Sequence, residues 1–238
     1  MFSSRRARAA LGLPVAALLL AGCGDSGALR GAGPTATAVG PVDLWPHLPP
    51  ASNPALDYGV ADTEIVKGVT VPGDDIRRVD PLDVVRAEVA AHPDVYSGPH
   101  AVYRQTRDRL ADCGKQGTQN GKCPLLQAYY RDLTGDGKDE MVLGIRVPGN
   151  QLAVRVYLVE HHRLVQVMGT ADSVISVELA GRDMIIRSPS TLPGYEFRTV
   201  WTWDPHQHAM LASRDEILRV RTVLRGRPAS PVPSESAR

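Results

Sequence analysis

From Leu125 to Trp203 the chain alternates apolar and polar positions with a period of two. The segments LLQAYYRDL (125–133), EMVLGIRV (140–147), LAVRVYLVE (152–160), RLVQVMGT (163–170), SVISVEL (173–179), DMIIRS (183–188) and YEFRTVWTW (195–203) read as successive strands. In LAVRVYL, Leu152, Val154, Val156 and Leu158 share a face; in FRTVWTW, Phe197, Thr199, Trp201 and Trp203 share another. The separators TGDGK, PGNQ, EHH, ADS, AGRD, PSTLPG and DPHQ are turn formers. Short connections make consecutive strands antiparallel neighbours, so the pattern predicts a meandering antiparallel sheet of about seven strands.

Upstream the period changes. Asp80 suits an N-cap, Pro81 the first helical position, and Asp83 the positive helix end. The helix that follows carries Leu82, Val85, Val89 and Ala90 on one face and stops at His92-Pro93. A second helix is predicted over residues 99–111, with Val102, Tyr103, Thr106 and Leu110 as its stripe. The segment SRDEILRVRTVL (213–224) is two-sided: Ser213 and Glu216 have capping-box spacing, while its alternation favours a strand. The fold class expected is α+β, one or two N-terminal helices packed on the sheet.

The domain occupies residues 57–224, with its core in 80–224, and EIVKGVTV (64–71) offers a further strand or hairpin arm. Residues 23–56 are rich in Gly, Ala, Pro and Thr without periodicity, and predict a disordered tether. Leu44 and Trp45 are its candidates for docking on the domain or lying near a membrane interface. Residues 225–238 (RGRPASPVPSESAR) predict a disordered tail.

Residues 1–22 have the layout of an export signal: Arg5, Arg6 and Arg8, then an apolar run from Ala9 to Ala21. The run is too short to span a bilayer, which takes about 20 residues, and Gly12 and Pro14 interrupt it. It ends in Leu20-Ala21-Gly22-Cys23, which resembles the lipobox of bacterial lipoproteins. That resemblance implies cleavage before Cys23, a diacylglycerol on its thiol and an acylated amine, with palmitate-type chains holding the chain on the outer membrane face. Each buried methylene contributes about 0.8 kcal/mol, so two or three chains anchor stably. The twin arginines Arg5-Arg6 leave Sec and twin-arginine export both open.

Loss of the signal leaves 24 basic against 26 acidic residues, a balance that favours no nucleic-acid partner. It also leaves two cysteines besides Cys23. Cys113 and Cys123 flank the polar loop GKQGTQNGK, and outside the cytoplasm a disulfide is the expectation.

One motif suggests a metal. In DLTGDGKDE (132–140), Asp132, Thr134, Asp136, the Lys138 carbonyl and Glu140 stand at positions 1, 3, 5, 7 and 9 around Gly137. Oxygen donors so spaced suit calcium. The stretch is similar to the Asp-x-Asn-x-Asp-Gly loops of FG-GAP repeats, and EMVLGI follows it as a strand would there. Thr134 is a weak ligand, and Leu143 stands where an EF-hand has its bidentate glutamate. The alternative is a plain turn, with Gly135 and Gly137 at positive φ and the acids on nearby amides.

Other chemistry is sparse. There is no Gly-x-Ser-x-Gly, phosphate loop, dinucleotide fingerprint or His-Glu-x-x-His. His161-His162 falls at a hairpin end, His206 and His208 share a strand face, Asp139-Glu140 is an adjacent acid pair, and Phe197, Trp201 and Trp203 form an aromatic set that could line a groove.

The phrases DPLDVVRAEVAAHP, DLTGDGKDEMVLGIR, VELAGRDMIIRSPS and YEFRTVWTWD, behind a lipobox and a proline-rich tether, resemble actinobacterial envelope lipoproteins of the CseA type. The resemblance covers most of residues 80–224. It implies a non-enzymatic accessory lipoprotein, outside the membrane, that negatively modulates envelope-stress signalling by contact with a sensor kinase or other envelope protein. It supplies no catalytic residue. The rival expectations are a calcium-stabilised cell-surface binding module and a cell-wall hydrolase.

Overall fold

The computed structural model describes residues 40–55, 63–114 and 122–220. The signal segment, Cys23, most of the expected tether and the expected tail from residue 225 lie outside these residues. In chain order the described elements are β1 (Val42–Asp43), β2 (Glu64–Ile65), α1 (Pro81–Ala91), α2 (Pro93–Tyr96), α3 (Arg104–Arg109), β3 (Tyr129–Arg131), β4 (Glu140–Val147), β5 (Gln151–Glu160), β6 (Arg163–Asp172), β7 (Ser176–Ala180), β8 (Asp183–Pro189), β9 (Tyr195–Asp204) and β10 (Ala209–Arg219).

The strands form two antiparallel five-stranded sheets rather than one sheet of about seven strands. One has the order β1-β7-β8-β9-β10, the other β2-β6-β5-β4-β3. The chain meanders as expected within β4–β6 and within β7–β10, but it changes sheets between β6 and β7. The fold class is α+β.

The second sheet is the middle of three layers. From β4 and β5, Val142, Leu152, Val154 and Val156 join one apolar cluster with Val177, Met184, Ile186, Trp201 and Met210 of the first sheet. Met141, Leu143, Ile145, Val147, Ala153 and Tyr157 join another cluster with Leu82, Val84 and Val85 of α1. Both faces of β4 are therefore covered, and seven of its eight residues are buried.

α1 starts as its cap residues predict, with the Asp80 carboxylate accepting from the Leu82 amide at 2.9 Å. Its buried residues are Leu82, Val84 and Val85; Val89 is partly buried, and Ala90 is exposed. Pro93 does not only stop α1: it opens the single turn α2. The second long helix is absent. Residues 97–103 turn instead, closed by Ala101 N–H to Gly98 and Tyr103 N–H to Val95, and only Arg104–Arg109 is α-helical before a 3-10 turn at Leu110–Asp112. Thr106 and Leu110 are buried as the stripe predicts, while Val102 is exposed.

The ambiguous C-terminal segment is a strand. β10 pairs with β9 over its whole length, with a bulge between Ala212 and Arg214. The bulge leaves Ser213 to bond the Thr202 hydroxyl and the Val200 carbonyl. Glu216 forms a cross-strand pair with Arg198 at 2.8 Å instead of closing a capping box.

Residues 40–55 are a correction to the expected tether. Val42–Asp43 pair with Leu179 and Glu178 of β7. Leu44 is fully buried and Trp45 nearly so. The Ala51 amide bonds the Val174 carbonyl, and the Ala55 amide bonds the Pro189 carbonyl. EIVKGVTV contributes only the two residues of β2, after which Val66 N–H bonds Leu164.

Cys113 and Cys123 form a disulfide, with Cα atoms 4.7 Å apart. Closing a loop of this size stabilises the fold by about 3 kcal/mol in the chain-entropy model. It joins the 3-10 turn after α3 to residues 123–128, which run beside β4: Leu125 bridges Ile145 and the Leu126 amide bonds the Gly144 carbonyl.

Candidate functional site

At one end of the molecule four turns meet around an open cleft of about 650 Å³. They are the 3-10 turns at residues 72–78, the acidic turn before β4, the β5–β6 hairpin tip and the β9–β10 tip. Six acidic residues line it, Asp74, Asp75, Asp136, Asp139, Glu140 and Glu160, the carboxyl of Glu140 being buried, against Lys138 and His208. Ile76, Leu158 and Val159 give it an apolar floor, and Trp203 a half-buried indole.

The acidic turn is held by its own side chains. Asp132 accepts from the amides of Gly135 and Gly137, the latter at 3.1 Å, and Asp136 accepts from the Lys138 amide at 2.8 Å. Gly135 and Gly137 have φ of 84°. The Arg182 guanidinium, the end of a flexible side chain, lies over Gly135, and it is the positive φ that favours glycine there. Asp139 points outward to Arg77 at 2.6 Å, and Arg77 stacks 5.0 Å from the Tyr130 ring. Glu140, its neighbour on the strand, points inward. It is 2 % exposed and accepts from the amides of Leu133 at 2.6 Å and Thr134 at 3.0 Å.

The donors of the expected calcium loop are met by the turn's own amides. Both oxygens of Asp132 are engaged by backbone amides, and the Glu140 carboxyl accepts from the Leu133 and Thr134 amides. Among the described residues no group of three or more His, Cys, Asp or Glu converges as a metal site. The plain turn is the arrangement Asp132, Thr134, Asp136, Lys138 and Glu140 adopt.

Burial pushes the Glu140 carboxyl up to about 7, and the nearby Asp136 and Asp132 add to the rise, against the two amide bonds that favour its charged form. Because its folded value lies above the unfolded one, the stability it confers is full below about pH 4.5 and is lost as pH rises through about 7. Urea unfolding between these limits should show stability falling with pH, and Glu140→Gln should flatten that slope. A carboxyl resonance of Glu140 titrating in the ordinary range would contradict this.

The hairpin tips bring histidines to the rim. His162 pairs with Asp74 at 2.6 Å and His208 with Glu160 at 3.5 Å. His208 also stands edge-on to Trp203, with ring centroids 6.1 Å apart. His161 and His162 have φ of 50° and 62°, the backbone of a two-residue hairpin turn that Asn-Gly adopts more easily. Asp74 and His208 are also left-handed, at 57° and 50°. Four of the five non-glycine left-handed residues among the described ones thus stand at this end, and such strain clusters at functional sites.

The other sequence candidates separate. Trp201 is buried between the sheets. Phe197 and Thr199 line, with it, a cavity of only about 30 Å³. Trp203 alone of the aromatic set reaches the cleft. His206 is in the exposed β9–β10 turn, its amide bonded to Asp204. Asp74, Asp75 and Glu160 were invisible as site residues, because they come from turns far apart in the chain.

No family model, no curated protein and no solved structure matches this chain. It is classed here by architecture: an α+β domain with helices on one face of an antiparallel sheet and a second antiparallel sheet on the other. Among the described residues no helix is long and apolar enough to cross a membrane.

Proposed function

We propose that the protein is a lipid-anchored lipoprotein of the extracytoplasmic membrane face, of the CseA type its sequence resembles. It modulates envelope-stress signalling negatively and without catalysis, by docking a basic segment of a membrane sensor or other envelope protein in the acidic cleft. The observation that carries this is the cleft itself, where Asp74, Asp75, Asp136, Asp139 and Glu160 surround an apolar floor and one indole, besides the buried Glu140. A lysine or arginine side chain brings both a charge for the rim and a hydrocarbon stem for the floor. The rim pairs of Asp74 with His162 and Glu160 with His208 are exposed and contribute at most about 1 kcal/mol each, so a stronger cation can displace the histidines. The Cys113–Cys123 bridge is consistent with an oxidising compartment. A lipid at Cys23 supplies the rest: confinement beside the membrane raises effective concentration, so a small docking surface suffices.

A photocrosslinking residue at Lys138 and a stress-response reporter test the proposal together. Crosslinking to a membrane protein is expected, and Asp136→Lys with Glu160→Lys should abolish it and raise reporter output. Cys23→Ser should weaken restraint while leaving the domain folded. Full restraint and unchanged crosslinking in the charge-reversed chain would overturn the proposal.

A further inference from the structure

β10 ends its sheet, and among the described residues only β9 pairs with it. Its first residues, Ala209 and Met210, are buried, and beyond the bulge between Ala212 and Arg214 the strand leaves the core. From Arg214 to Val220 every residue but Glu216 is exposed, Ile217 at 57 %, Leu218 at 37 % and Val220 at 43 %. These aliphatic side chains stand along an unpaired strand edge, and such an edge is a template for another strand.

The backbone of this stretch sorts into two sets. The Val220 amide bonds the Gly194 carbonyl at 2.8 Å, continuing the register that sets Arg219 opposite Tyr195 and Leu218 opposite Glu196. Hydrogen-bonded positions alternate along an antiparallel pair. Arg214, Glu216 and Leu218 therefore turn their N–H and C=O groups to β9, and Asp215, Ile217 and Arg219 turn theirs outward. The side chains of the outward set lie on one face, in the order acid, aliphatic, base. Asp215 and Arg219 enter no ion pair among the described residues, whereas Glu216 on the other face is held by Arg198.

We propose that this edge pairs with the same edge of a second copy, antiparallel about a two-fold axis through Ile217, and joins the two sheets into one. Read against its own reverse, RDEILRV (214–220) is self-complementary. Ile217 meets its copy, Asp215 meets Arg219 of the second copy and Arg219 meets Asp215, so each outward N–H faces an outward carbonyl. Directly opposed unlike charges and aliphatic pairs both stabilise an antiparallel ladder. Leu218, on the other face, stands diagonal to its copy. Centring the axis on Glu216 would oppose that carboxylate to itself, and centring it on Leu218 would leave Arg214 and Asp215 outside the paired stretch. Charges blunt an edge where they repel; here they select a second copy and one register. A two-fold contact is closed, so pairing stops at two copies. Ile217 stands nine positions beyond His208, roughly 30 Å at the rise of an extended strand, so the paired stretch lies away from the acidic cleft. The pairing does not depend on docking at that cleft, and its failure would leave that proposal standing.

Sedimentation equilibrium of the full chain, kept dispersed in detergent, tests this. A weak monomer–dimer equilibrium is expected, since one strand edge buries less surface than a standard interface. Arg219→Asp should weaken it about tenfold, by opposing like charges at both ends of the pair. Asp215→Arg should do the same, and the chain carrying both substitutions should dimerise as the native one does. Ile217→Lys sets two ammonium groups at the axis and should abolish dimers. All three positions are exposed, and unchanged melting of each variant shows that the fold is kept. A full chain that stays monomeric at every concentration would overturn the proposal, even if removal of residues 221–238 released dimers, because the edge would then belong to the chain's own end. Dimers that survive Ile217→Lys, or that the double exchange fails to restore, would overturn it as well, since another face would be in use.

Discussion

Replacing Glu88 with alanine is expected to destabilise the domain by about 3–5 kcal/mol, the loss seen when one partner of a buried ion pair is removed. Glu88 on α1 and Arg155 on β5 lie 3.2 Å apart, with side chains only 10 % and 13 % exposed. The Tyr96 hydroxyl donates to Glu88 at 2.7 Å, and the Tyr157 hydroxyl faces its other oxygen at 3.4 Å. Burial first, and then the Glu88 charge, push both phenols above their usual value, so they stay protonated and keep donating. Arg155 also donates to the carbonyls of Thr170 and Val154. Gly169 leaves room for its stem; a side chain there would meet the Gln166 amide at 3.0 Å and Arg155 at 3.4 Å. Alanine at 88 strands a buried guanidinium and two phenols together. Urea unfolding should register the full loss, and the melting temperature should fall by roughly 10 °C or more. The double replacement Glu88→Leu with Arg155→Met should recover much of the loss, because it removes both charges. A single-mutant loss below about 1 kcal/mol would mean that water reaches the pair.

Trp45→Ala should be of similar size, about 3–5 kcal/mol, as for other large aromatic truncations in cores. The indole N–H donates to the Gln127 carbonyl at 2.9 Å, and its ring meets Tyr129 edge-on at 5.9 Å between centroids. It lies against Gly144 of β4, where an added Cβ would come within 2.8 Å of the ring. Truncation opens a cavity between the sheets and removes the main apolar anchor of residues 40–55. Hydrogen exchange gives the sharper test. The Leu44 and Ala51 amides, bonded to Val177 and Val174, should lose protection before those of β4 and β5. Retained protection would show that backbone pairing with β7 holds the segment without the indole.

The two predictions divide along what was legible in the sequence. Strand existence was legible because side chains alternate across a pleated sheet, so half-buried strands write their period into the chain. The turns between β4 and β10 were legible for a related reason: positive φ and tight reversal restrict residue choice. The caps of α1 and the adjacency of Cys113 and Cys123 are local or topologically short, and they followed too.

Several features needed the third dimension. EMVLGIRV keeps the period of two less strictly than its neighbours because both its faces are covered, and its near-continuous apolar run was the available sign of a middle layer. The split into two sheets was hidden because a meander records which strands follow one another, not where the chain changes layer. Trp45 was hidden in a proline-rich stretch whose composition resembles a linker, and its burial depends on Gly144, 99 positions away. Glu88, on the half-buried flank of an amphipathic helix, reads as a solvated charge until Arg155 arrives from β5.

The candidate sites follow the same rule. DLTGDGKDE showed where an acidic turn would be, but its sequence could not say which way each carboxylate faces. Only the pairing of β3 with β4 turns Glu140 inward onto amides while Asp139 faces Arg77. Asp74, Glu160, Trp203 and His208 meet through three separate turns. The sequence by itself determined the local elements, since periodicity, caps and turn chemistry act over a few residues. Tertiary structure alone decided which charges share a cavity, because Coulomb and desolvation energies depend on distance in space and are blind to distance along the chain.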